Sequence, residues 1–101
     1  MKKFYSSLIL NKEDLKDSSR NRIELEYYKI SRKAGKNVGM KTNVYGIEIV
    51  KKEYLGKKKH KEKSDIYNLT NDENVIDNLL RILRKNKVTP ISLNDVIEEV
   101  L

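Results

Sequence analysis

Hydrophobic and polar positions alternate through the middle of the chain, then switch to a helical spacing near its end. In RIELEYYKIS (22–31), Ile23, Leu25 and Tyr27 share one face at a period of two, with Glu24 and Glu26 on the other. The alternation returns in TNVYGIEIVKKEYL (42–55), where Tyr45, Ile47 and Ile49 oppose Val44, Glu48 and Val50. Gly46 interrupts that run and marks a bulge or a close backbone approach. SDIYNL (64–69) has the length of a third strand, so residues 23–69 are expected to form an antiparallel meander. Its two connections, RKAGKNVGMK (32–41) and GKKKHKEK (56–63), read as basic loops. KKFYSSLIL (2–10) reads as a further strand, and the polar stretch 11–21 as a loop or short helix.

From residue 70 the period lengthens. Val75, Ile76, Leu79, Leu80, Ile82 and Leu83 make one apolar stripe of a helix. Thr70 and Glu73 have the spacing of a capping box. Asp72 and Glu73 suit the positive end of the helix dipole, and Arg84, Lys85 and Lys87 the negative end. Pro90 ends the helix and drives Thr89 extended. A second helix is expected from Ser92, capped by Ser92 with Asp95 and stapled by Ile91 with Val96, with Leu93, Val96, Ile97, Val100 and Leu101 as its stripe. The expected fold is one α+β domain over 1–101: a three- or four-stranded antiparallel sheet (23–69 its meander), then two C-terminal helices (70–101), in a winged helix-turn-helix-like arrangement.

Composition changes the picture chiefly through charge. The 101 residues carry 22 Lys and Arg against 15 Asp and Glu, a net +7. Coding bias in an A/T-rich genome inflates lysine everywhere, but it does not sort charge by place. Lys51 to Lys63 holds seven lysines against Glu53 and Glu62. Lys29 to Lys41 holds Lys29, Arg32, Lys33, Lys36 and Lys41 with no acid, whereas Val88 to Leu101 holds Asp95, Glu98 and Glu99 with no cation. Sorted basic stretches fit a polyanion, double-stranded DNA first. The last helix, which a helix-turn-helix reader would lay in the major groove, presents carboxylates that phosphates repel. The basic hairpin loops are therefore the expected contact, through Lys51, Lys52, Lys57, Lys58, Lys59, Lys61, Lys63, Arg32, Lys33 and Lys36. Roughly five phosphate contacts would give a log–log salt slope of about −4 to −5. Arg32, Asn37 and Asn43 are the candidates for reading base edges. Tyr28, Tyr45, Tyr54 and Tyr67 could add contacts, although strand tyrosines more often pack.

Other chemistry is sparse. Cysteine is absent, which removes disulfides, thiolate metal sites and cysteine nucleophiles and fits the cytoplasm. His60 is the lone histidine and sits in a lysine run, so no catalytic set can be assembled; no cofactor, metal or enzymatic activity is expected. MKKFYSSLIL lacks the long apolar core and the cleavage site of a signal peptide, and no apolar run reaches a membrane-spanning length. A surface-bound membrane helix would need lysines and apolar stripe on one segment, and here they lie apart. A small basic domain with a thin core is expected to dimerise. The rival class is a protein-interaction module whose helices dimerise while its basic loops dock on an acidic partner.

Two stretches carry a resemblance. VYGIEIVKKEY (44–54) and NKVTPISLNDVIEEVL (86–101) resemble an uncharacterised clostridial small-protein family with YGIEI and VTPxxLxDVIE segments, over about a quarter of the chain. In size, basicity and strand-then-helix order the chain also resembles the TcpK-type relaxosome accessory proteins of clostridial conjugative plasmids. That resemblance implies a winged helix-turn-helix homodimer bound near a transfer origin, beside a relaxase or coupling protein. Transcriptional regulation is the alternative setting.

Overall fold

Two long strands set the frame. In the computed structural model, which describes residues 1–10, 22–34, 42–55 and 57–101 (backbone alone at 34, 42 and 55), β2 spans Arg22–Ala34 and β3 spans Thr42–Leu55. β1 (Lys2–Leu10) lies outside β2, and β4 (Lys58–Thr70) outside β3, giving an antiparallel sheet in the order β1-β2-β3-β4. Two helices follow, α1 (Glu73–Lys85) and α2 (Leu93–Val100), joined through a short 3-10 turn at Pro90–Ser92. The α+β fold of a four-stranded antiparallel sheet followed by two helices is as expected. The readings of residues 11–21 and of the first connection beyond Ala34 fall outside the described residues.

Period-two patterning places the core. Ile23, Leu25 and Tyr27 of β2 and Tyr45, Ile47 and Ile49 of β3 are buried on the face that the helices cover. Ile76, Leu79, Leu80 and Leu83 of α1, with Val88, Leu93 and Ile97, close it from above. The Tyr27 hydroxyl donates to the Val88 carbonyl at 2.9 Å, which ties the sheet to the segment after α1. Burial pushes this phenol up to about 12, against a smaller opposing pull from Arg84. An unfolded tyrosine ionises near 10, so the folded state holds the proton more tightly. That stability is complete below about pH 10 and is lost as pH rises to about 12, by roughly 2–3 kcal/mol. Urea melts across this range are expected to show the loss, and Tyr27→Phe to make it smaller by that amount while costing about 1–2 kcal/mol at neutral pH.

The helix ends differ from expectation. Asp72, not Thr70, is the N-cap of α1: its carboxylate accepts from the Asn74 amide at 2.9 Å, while the Thr70 hydroxyl accepts from the Asp72 amide at 3.0 Å. Thr70 still belongs to β4, so it stands too early to cap. The C-terminus of α1 closes with the Val88 amide on the Leu83 carbonyl and the Lys87 amide on that of Arg84, a Schellman turn with Lys87 at φ 54° where glycine is usual. Thr89 is extended ahead of Pro90, as expected. Ser92 is helical and makes no capping bond, and Ile91 is 85% exposed, so neither the second box nor the staple forms. The 3-10 turn occupies those residues instead.

A candidate nucleic-acid interface at the end of β3 and β4

The lysine run is a strand. Residues expected to form a loop at 57–63 instead enter β4 from Lys58, pairing Lys58 with Leu55, Lys59 with Tyr54, Lys61 with Lys52 and Lys63 with Val50. Backbone pairing to β3 holds this stretch extended, with no apolar alternation required of it. Lys57 to Lys63 are exposed, as the outer edge of the sheet, while their neighbours Glu53 and Ile23 in the strands behind are buried. His60 and Lys58 fall on the helix side of the sheet, and Lys59 and Lys61 on the open side.

Register divides the candidate cations into two kinds. On the open face Lys52 pairs with Glu26 at 3.1 Å, and hydrogen bonding to that carboxylate raises its ammonium pKa. Lys63 lies 4.0 Å from Glu48, which also takes Lys2 at 2.9 Å; the Glu48 hydrogen bond raises Lys2 in turn. Lys51 sits 3.9 Å from both Glu53 and Glu62. Glu48 and Val50, on the face away from the helices, are only 5% and 4% exposed, with Lys2 and Lys63 both on Glu48. By contrast, Lys57, Lys58, Lys59 and Lys61 carry no ion pair among the described residues, and Lys59 stands over the Tyr54 ring at 5.8 Å with Arg22 at 5.5 Å on the same ring.

The second candidate cluster lies at the other end of the sheet. Arg32 and Lys33 belong to β2, not to a loop, in register with Val44 and Asn43. From Asn43 to Tyr54 along β3 is roughly 35 Å at the usual strand rise, so the two clusters do not share one contact. The Arg32 side chain donates to Asn68 at 3.0 Å and braces β2 to β4. Lys36 and Asn37 lie outside the described residues. Among the tyrosines, Tyr45 is in the core, Tyr28 packs edge-on against Phe4, and Tyr67 is exposed beside Asp65. Lys29 turns to α1: burial opposes its charge, but contacts with Asp77 at 2.7 Å and Glu73 at 3.4 Å outweigh it and raise its pKa. The acids of α2, Asp95, Glu98 and Glu99, are exposed.

One cationic group escaped the sequence. Arg81, Arg84 and Lys85 of α1 face Tyr5, Leu8 and Ile9 of β1 across a groove of about 580 Å³. The spacing of these cations at i, i+3 and i+4 was the available signal; two of them read instead as dipole partners. Among the described residues no cluster of His, Asp and Glu suits a metal ion, and no helix is long and apolar enough to cross a membrane.

Residues 6–101 match a family of unknown function, DUF6514. The chain belongs to that family. The match runs from Ser6 in β1 through α2, so sheet and helices together are the family's unit. No curated protein and no solved structure matches the chain.

Proposed function

We propose that this DUF6514 protein binds double-stranded DNA through the lysine-bearing edge at the end of β3 and β4, with Lys57, Lys58, Lys59 and Lys61 on phosphates. The observation that supports this reading most is the unneutralised state of those four lysines, beside neighbours that are held by carboxylates. A lysine-bearing edge strand, backed by β3 and by β2 as far as Tyr54, can lie along a groove with its cations on the phosphates. The acidic α2 stays away from the polyanion. Lysine on phosphate supplies affinity and position more than sequence reading.

The proposed setting is the relaxosome of a conjugative plasmid, with transcriptional control as the rival; footprints at a transfer origin or at a promoter separate the two. A homodimer is part of the proposal, through the exposed Ile91, Val100 and Leu101.

A plainer reading has its own physical ground: lysines on an edge strand keep it from pairing with another sheet. Fluorescence anisotropy with a labelled duplex at low salt separates the two. Lys57→Glu with Lys59→Glu is expected to weaken binding on unrelated sequences alike, by about a hundredfold. No binding of the parent chain to any duplex, or equal binding by the reversed variant, leaves edge protection as the account of these residues.

A further inference from the structure

The two edges of the sheet are unlike. The outer strand β4 carries Lys58, Lys59, Lys61 and Lys63, charge of the kind that blocks edge pairing. On β1 the only charges are Lys2 and Lys3, and Phe4 to Leu10 has none. Among the described residues no strand pairs with its outer side. A register shift sets Tyr5 apart between Phe4 and Ser6, and from Ser6 to Leu10 the strand is regular. Phe4, Tyr5 and Ile9 are exposed at 53%, 37% and 52%.

Beside this open edge runs the groove to α1. The Arg84 guanidinium is steadied by the Ser6 hydroxyl at 2.7 Å, and that of Arg81 by the Asn78 side-chain oxygen at 2.7 Å. Neither these two nor Lys85 carries an ion pair among the described residues. The site thus offers strand hydrogen bonds on one wall and unpaired cations on the other.

We propose that the β1 edge and this groove take an extended acidic segment of a partner protein as a fifth strand. Charge selects the occupant. Joining β1 to β1 of a second copy would bring six cations of two grooves together, and like charges repel. An acidic strand neutralises them and completes the backbone pairing.

Alternation fixes the partner's pattern. Ser6, Leu8 and Leu10 stand with Tyr27, Leu25 and Ile23 on the helix side, and Ser7 and Ile9 with Glu26 and Glu24 on the open side. A fifth strand alternates likewise. Its helix-side positions come against Arg81, Arg84 and Lys85 and favour Asp or Glu. Its open-side positions come beside Ile9, near Glu24 and Glu26, which favour Val, Ile or Thr and disfavour acids.

The probe is a short labelled peptide in which Glu and Val alternate, titrated with the full chain by anisotropy. Binding that weakens with salt is expected. Arg81→Glu with Lys85→Glu, both on the exposed side of α1, is expected to weaken it about tenfold or more. The same peptide N-methylated at alternate residues is expected not to bind, because it cannot complete the strand ladder, and a Lys-Val peptide not to bind at all. Lys57→Glu with Lys59→Glu is expected to leave peptide binding intact, which keeps this site apart from the duplex interface. Equal binding of the N-methylated peptide, indifference to the α1 reversal, or a doubled mass in sedimentation that Ile9→Lys abolishes would each overturn the proposal.

Discussion

Gly46→Ala is expected to cost at least about 3 kcal/mol of stability, a loss far above the usual surface substitution. An added methyl would run into the Ile66 carbonyl oxygen, with the Tyr67 Cα 3.0 Å away and the Ile66 carbonyl carbon at 3.2 Å. All three are backbone atoms, so no side chain can turn aside to make room. The crowding arises from the pairing itself. Tyr45 pairs with Thr70 and Ile47 with Ile66, so residues 67–69 of β4 stand opposite Gly46 alone. Asn68 absorbs the extra length at φ 58°, a conformation that asparagine tolerates better than most residues. Thermal melts read the effect, at roughly 4–8 °C per kcal/mol for a domain of this size. The consequence reaches the proposed interface, because the same β4 backbone carries the lysines at its other end. A variant as stable as the parent would mean that β4 does not press on β3 at this residue.

The periodic parts of this chain were legible because one face of each was buried. Ile23, Leu25 and Tyr27 alternate with acids, and Ile76, Leu79, Leu80 and Leu83 recur at helical spacing, since each set faces the same core. The stretch 58–63 defeated that logic. It is a strand on a sheet edge, solvated on both faces, so pairing with β3 stabilises it and no apolar pattern announces it. Within the candidate site, the identity of the basic residues was legible and their state was not. Whether Lys52 meets Glu26, or Lys51 meets Glu62, depends on register, and a slip of one residue would send every side chain to the opposite face. The groove of Arg81, Arg84 and Lys85 against Tyr5 and Ile9 joins residues more than seventy positions apart, a meeting that only the packing of α1 on β1 creates. The caps failed for a local reason. Thr70 and Ser92 are suitable residue types, but one still belongs to a strand and the other to a 3-10 turn.

Duplex affinity is expected to fall with salt along a log–log slope near −3 to −4, the value for about four phosphate contacts at ~0.9 each. Had all ten candidate cations bound together, the slope would be roughly −9. Geometry favours the smaller number. Arg32 and Lys33 sit at the far end of β3, and Lys51, Lys52 and Lys63 already meet Glu53 and Glu62, Glu26, and Glu48 respectively. A lysine released from a carboxylate to a phosphate trades one anion for another, so it releases few counterions and adds little to the slope. The affinity change between roughly 50 and 200 mM salt is therefore about a hundredfold. Lys59→Gln and Lys61→Gln are each expected to make the slope shallower by about one. Lys52→Gln is expected to leave it unchanged, whereas Glu26→Gln, which frees the Lys52 ammonium from its partner at 3.1 Å, is expected to steepen it by about one. The measurement is anisotropy at a series of salt concentrations, on one duplex, for the parent and these variants. A slope near −9 would mean that all ten cations meet phosphate, against this division into free and paired groups, and a flat response would remove phosphate contact as the role of this end of the sheet.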